Sequence, residues 1–269
     1  MGLPSSSRVS VLGVGFDPVT MAQARALVEQ WLAEEGASAG DGPPRQEGAF
    51  RLVVTANPEG VMYCRRDPAF REVVERAALV VADGTGVVWA SRVLGHPLPG
   101  RVPGIELAEG LLQACARTGW PVFLLGGKAG VAAEAARRLQ ERYAGLQVAG
   151  VGHGYFTADE EPLQAIDHAR PVFLLCGMGC PRQELWLDRY AAPLAESGVR
   201  VGIGVGGALD VWAERVRRAP PVWGRLGLEW LWRGLQEPRR LRRQVALVRF
   251  VWEVWRRRRG APPGRNDRG

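Results

Sequence analysis

The feature that most constrains this chain is a recurring switch of hydrophobic period. Seven short apolar runs stop at glycine or polar residues, and most then give way to an amphipathic stretch, the signature of parallel strands joined by crossover helices. Strands are expected at Val9–Val14, Leu52–Thr55, Leu79–Ala82, Val122–Leu125, Gln147–Val151, Val172–Cys176 and Val201–Val205. Helices are expected at Asp17–Glu35, Pro68–Ala77, Thr85–Val93, Ile105–Thr118, Gly130–Tyr143, Glu160–His168 and Arg182–Leu194. The first of these opens on Asp17-Pro18, read as an N-cap with proline at the first helical position. Residues 36–48, GASAGDGPPRQEG, are a loop by composition. The expected fold is therefore α/β: a Rossmann-like, mostly parallel sheet flanked by helices over residues 1–216, with a C-terminal basic helical appendage over 217–269 whose last residues are disordered.

Charge marks the boundary between the two parts. The chain carries +7 overall, but residues 215–269 hold sixteen arginines, no lysine and four acids, which is +12 and leaves −5 for residues 1–214. A basic segment can serve nucleic acid or an anionic membrane, and the residues between the arginines discriminate. Here they are aliphatics and five of the ten tryptophans, Trp223, Trp230, Trp232, Trp252 and Trp255. Indole with arginine is the composition of an element at the lipid headgroup level, so an anionic membrane surface is the expected partner and nucleic acid is not. On a helical wheel Leu241, Val245, Val248, Trp252 and Trp255 share one face, edged by Arg242, Arg249 and Arg256. Leu247, Phe250 and Val254 point elsewhere, which fits a helix that docks on the body with one side and meets lipid with the other. The same apolar surface could also receive a second copy of the chain as a homo-oligomer.

Several function classes lose ground on composition and motif. At 46% hydrophobic and 23% charged the chain is globular in character. No stretch of about eighteen residues runs free of charge and no secretory leader opens the sequence, so the expected location is the cytoplasm, peripheral on the inner face of the membrane. Four cysteines, Cys64, Cys115, Cys176 and Cys180, lack metal-ligand spacing and read as buried thiols. Gly202-Ile203-Gly204-Val205-Gly206-Gly207 matches the dinucleotide fingerprint in form, but it follows the last strand and not the first. There is no P-loop and no Asp-x-Asp pair, so neither a cofactor nor a metal is expected, and a bound diphosphate would have to be met by backbone N–H groups and arginines.

Ligands of such sheets bind beyond the carboxyl ends of the strands, where this sequence concentrates its glycines and polar residues. Asp83 stands out there, directly after Leu79–Ala82 and flanked by Gly84 and Gly86. A lone carboxylate in that position suits a general base; it equally suits an N-cap for the following helix. Thr55 and Asn57 could bond hydroxyl or amide groups, Asn57 being also a natural turn former before Pro58. Gln183 could bond a sugar or a base, or be a first-turn helix residue.

Taken in order, Thr55-Ala56-Asn57-Pro58-Glu59, Ala82-Asp83-Gly84-Thr85-Gly86, Arg101-Val102-Pro103-Gly104, Gly177-x-Gly179-x-Pro181-x-Gln183-Glu184, Arg218-Ala219-Pro220 with Gly227-Leu228-Glu229-Trp230, and Glu237-Pro238-x-Arg240-Leu241 resemble the TagA/WecG/CpsF glycosyltransferases. The resemblance covers about residues 8 to 258. It implies an inverting transfer of N-acetylmannosamine from a UDP-sugar donor to the GlcNAc of a polyprenyl-diphosphate-linked acceptor, in teichoic acid or surface polysaccharide assembly. By that resemblance Asp83 is the base, and Thr55, Asn57 and Gln183 surround the donor. Arg101, Asp210 and Arg218 are further substrate contacts, and the basic appendage serves a membrane-bound acceptor. UDP-N-acetylmannosaminuronic acid or a UDP-hexose would fit the same motifs. A nucleotide-binding module docked on the membrane would share the glycine turns but would have no use for an acid at Asp83.

Overall fold

The computed structural model describes residues 8–34, 50–216 and 241–260, with side chains for 246–259 in the last segment. Six parallel strands, β3 (Arg51–Ala56), β4 (Leu79–Ala82), β5 (Val122–Gly126), β6 (Val148–Gly152), β7 (Phe173–Gly177) and β8 (Val201–Gly204), form one sheet in the order β4-β3-β8-β7-β5-β6. The inner strands are covered on both faces, which is why they are near-continuous apolar runs, whereas the edge strand β6 is partly exposed along its length. Along β7 the side chains alternate between two cores: Leu174 and Cys176 face one, Phe173 and Leu175 the other.

The first core is closed by α2 (Pro58–Cys64), α3 (Pro68–Arg76), α4 (Thr85–Val93), α7 (Glu160–Ala169), α8 (Arg182–Arg189) and α9 (Ala191–Glu196). The second is closed by α1 (Met21–Ala33), α5 (Gly104–Thr118), α6 (Val131–Arg142) and α10 (Ala208–Trp212). A last helix, α11 (Leu241–Gly260), packs on α2 and α4. It does so through Phe250 and Val254, both fully buried, and through Glu253, 3.2 Å from Arg65. Val248, Trp252 and Trp255 stay exposed on its other side. Leu241 and Val245 lie among the side chains outside the described set.

The chain departs from the expected pattern at its start. Val9–Val14 is not a strand of the main sheet: β1 (Val9–Val11) and β2 (Val14–Phe16) form a separate antiparallel hairpin. Leu12 and Gly13 both have positive φ, at 54° and 92°, the geometry of a two-residue hairpin turn. Nor is Asp17 a helix cap. Its carboxylate accepts the Val80 N–H at 2.7 Å and meets Arg8 at 3.1 Å, tying the hairpin to β4. The cap of α1 is Thr20, in a reciprocal box with Gln23. Two further differences lie near the site. Asn57-Pro58 starts a helix where only a turn was expected, and Arg182–Leu194 is two helices broken at Tyr190.

Candidate active site

A cavity of about 670 Å³ opens at the carboxyl edge of the sheet, over the ends of β3, β8 and β7. Its position follows from topology. The chain leaves β3 through α2 on one face toward β4, and leaves β8 through α10, which packs on α6 on the other face. A crevice opens between neighbouring strands whose connections part in this way.

Five of the seven residues singled out from the sequence line this cavity: Thr55, Asn57, Asp83, Arg101 and Gln183. Thr55 ends β3 and its hydroxyl donates to the Gly204 carbonyl at 3.2 Å, clasping two strand ends. Asn57 caps α2, its side-chain oxygen accepting the Gly60 N–H at 3.0 Å. Asp83 follows β4, half-buried, with its own N–H donated to the Ala56 carbonyl at 3.0 Å. It stands one residue before the N-cap position of α4, which is Gly84. Arg101 lies 3.9 Å from Glu106. Asp210 sits in the first turn of α10 and is not among the lining residues. Arg218 lies outside the described residues.

Helix starts dominate the polar wall. α4 and α5 both begin at the cavity, at Gly84 and Pro103, neither of which has a side chain that caps its helix, so the positive ends of their dipoles lie there. Such ends bind anions, phosphates above all. The close fit of α5 depends on Gly104, where a Cβ would lie 2.7 Å from the Thr55 hydroxyl. Apolar side chains complete the lining: Phe70, Trp89 and, from α11, Leu247 and Val251, with Leu247 close to Gly86 in the first turn of α4. One cavity thus joins an anion-binding edge, a carboxylate and a hydrophobic side. The apolar contribution of α11 was not read from the sequence, since it arises from docking between elements far apart in the chain.

Gln183 is more deeply built in than a first-turn helix residue requires. Its side-chain oxygen accepts the N–H groups of Gly179 and Gly206, each at 3.0 Å, and its amide donates to Glu184 Oε1 at 2.7 Å. It therefore joins the turn after β7 to the turn after β8. Among the described residues no group of three or more His, Cys, Asp or Glu side chains is placed to hold a metal ion.

Residues 9–263 match the glycosyl transferase WecG/TagA/CpsF family. Two proteins of Staphylococcus aureus, from strains MRSA252 and MW2, are each 34% identical to this chain over 256 residues, which is 95% of its length and 95% of theirs. Both carry the name N-acetylglucosaminyldiphosphoundecaprenol N-acetyl-beta-D-mannosaminyltransferase.

Proposed function

From the premise that this chain belongs to the glycosyl transferase WecG/TagA/CpsF family, we propose that it transfers N-acetylmannosamine from UDP-N-acetylmannosamine to the GlcNAc of a polyprenyl-diphosphate acceptor, with inversion at the anomeric carbon. The observation that carries this reading is Asp83: a half-buried carboxylate at the carboxyl end of β4, directly before the N-cap position of α4, that lines the cavity together with Arg101 and the first residues of α4 and α5. Asp83 takes the proton of the acceptor hydroxyl as that oxygen attacks the anomeric carbon, and the bond to the UDP oxygen breaks on the opposite face. The departing diphosphate gains negative charge, which the first N–H groups of α4 and α5 and the Arg101 guanidinium are placed to meet. Gln183 and Asn57 hold the turns that shape the donor side.

The acceptor is a lipid, and α11 supplies two features suited to one. Leu247 and Val251 turn an apolar wall into the cavity, while Val248, Trp252 and Trp255 are 71%, 60% and 43% exposed on the far side. Arg256 lies over the Trp252 ring and Arg258 over the Trp255 ring, each 5.4 Å from the centroid. No helix of the described residues is long and apolar enough to cross a membrane. We read α11 as peripheral, its indoles in the headgroup layer and its arginines on anionic lipid.

The test is UDP release from a panel of UDP-sugars with a synthetic GlcNAc-diphosphate-lipid, with and without EDTA. Acceptor-dependent release from UDP-N-acetylmannosamine supports the reading. Release only from another donor moves the specificity, and release that needs no acceptor overturns the transfer.

A further inference from the structure

Next to Gln183 lies a group that the proposed chemistry does not use. Glu184 is 2% exposed, and its Oε2 is, among the described residues, the buried side-chain polar atom with no hydrogen-bond partner. Its Oε1 accepts from the Gln183 amide at 2.7 Å, and its own backbone N–H and the Cys180 thiol also bond the carboxyl. Among the described residues, the titratable side chains that interact with it from neighbouring elements are thiols: Cys64 from α2, Cys176 from β7 and Cys180 from the turn before α8. Burial pushes the Cys64 thiol up to about 12 and raises the Cys176 thiol as well, so neither supplies charge near neutrality. β8 offers only Gly204, where a Cβ would lie 2.8 Å from Glu184 Oε1.

We propose that Glu184 is a positioning residue that works as a neutral carboxylic acid, fixing the Gln183 amide at the wall of the cavity. An ionised carboxylate there would keep one oxygen buried, unpaired and charged, which is far costlier than a neutral hydroxyl in the same place. Burial accordingly raises its pKa, the bonds from Gln183, its own backbone N–H and Cys180 only partly opposing the shift. As the acid, Glu184 carries its proton on Oε2 and leaves Oε1 a carbonyl-type acceptor. The Gln183 amide then has one orientation: its oxygen takes the two glycine N–H groups and its nitrogen faces Glu184.

For its activity readout the inference rests on the glycosyl-transfer reading; a second readout does not. A carboxyl whose pKa is raised by folding gives stability that is complete below its unfolded pKa of about 4.3 and is lost as pH rises toward the folded value. Thermal melting of the full chain and of Glu184→Gln between pH 5 and pH 8.5 should show the Gln variant gaining on the parent as pH rises. A difference independent of pH overturns the neutral acid. In UDP release, Glu184→Ala should lower kcat by about tenfold or more through misplacement of Gln183. Glu184→Gln, which restores an uncharged acceptor, should recover most of that loss and flatten the alkaline side of the pH profile. A Gln variant as poor as the Ala variant overturns the proposal. Should the parent chain transfer no sugar at all, the transfer reading fails, and the melting series still decides the state of Glu184.

Discussion

Gly204→Ala is the sharpest test of how the cavity is built. Gly204 ends β8 in an ordinary extended conformation, so alanine is acceptable to the backbone and the effect is steric alone. An added Cβ would lie 2.3 Å from Gln183 Nε2 and 2.8 Å from Glu184 Oε1, distances at which something must move. Strand β8 is central, paired with β3 on one side and β7 on the other, so the side chain has to yield. That side chain is held by Gly179, Gly206 and Glu184. Swinging it away forfeits three hydrogen bonds at about 1 kcal/mol each and leaves glycine N–H groups short of an acceptor, a loss of about 3 kcal/mol. For a chain of this size that lowers Tm by roughly 6–12 °C. Urea unfolding and calorimetry measure it directly. Gly100→Ala is the control, because a Cβ there meets nothing within 4 Å, and its effect should stay within about 0.5 kcal/mol. If Gly204→Ala is as mild as the control, the amide is not pinned as described and the account of Gln183 and Glu184 falls with it.

Asp83→Asn should reduce kcat for UDP release by about 10² or more with little change in Tm; near-normal turnover would remove Asp83 from the role of base. Replacing Trp252 and Trp255 together by glutamate should cut pelleting with anionic liposomes by about tenfold or more, since it removes two indoles and adds two repelled charges at the surface. Pelleting equal to the parent would show that α11 is not the membrane contact. Native protein treated with dithionitrobenzoate near pH 8 should leave Cys64, Cys115 and Cys176 unreacted, because burial raises all three thiols and Cys64 and Cys115 stand at about 12. Rapid reaction of more than one thiol per chain before unfolding would contradict the buried cores.

What the sequence discloses and what it hides divide along a physical line. The helix at Thr85–Val93 and the strand at Leu79–Ala82 are recovered to the residue, because each is marked locally, by glycine turns at one end and a clean apolar run at the other. Val9–Val14 misleads because an apolar run interrupted by Leu12-Gly13 has the composition of a strand and the geometry of a hairpin. Asp17 misleads because a carboxylate before proline looks like a cap, and only the tertiary approach of Val80 shows where its hydrogen bonds go. In the cavity, Thr55, Asn57, Asp83, Arg101 and Gln183 can be picked out as polar residues at strand ends or in motif blocks. Glu184 receives no role from sequence, since its distinguishing property is burial, and burial depends on Gly204 and the three thiols around it. Leu247 and Val251 are hidden for a related reason: the α11 wall exists only once Phe250 and Val254 have docked.

The strand order has a consequence for how the chain is made. Among the described residues β8 is the last strand to be synthesised, yet it lies between β3 and β7, with Arg51 and Phe173 both opposite Val201. Without it, the strand order leaves two groups, β4-β3 and β7-β5-β6, each with an edge whose backbone has no partner strand. Edges of this kind recruit strands from other chains, and a topology that joins such distant segments folds slowly. The sheet of this enzyme is therefore closed across its middle only after Val201–Gly204 has been made, and its two unpaired edges exist until then.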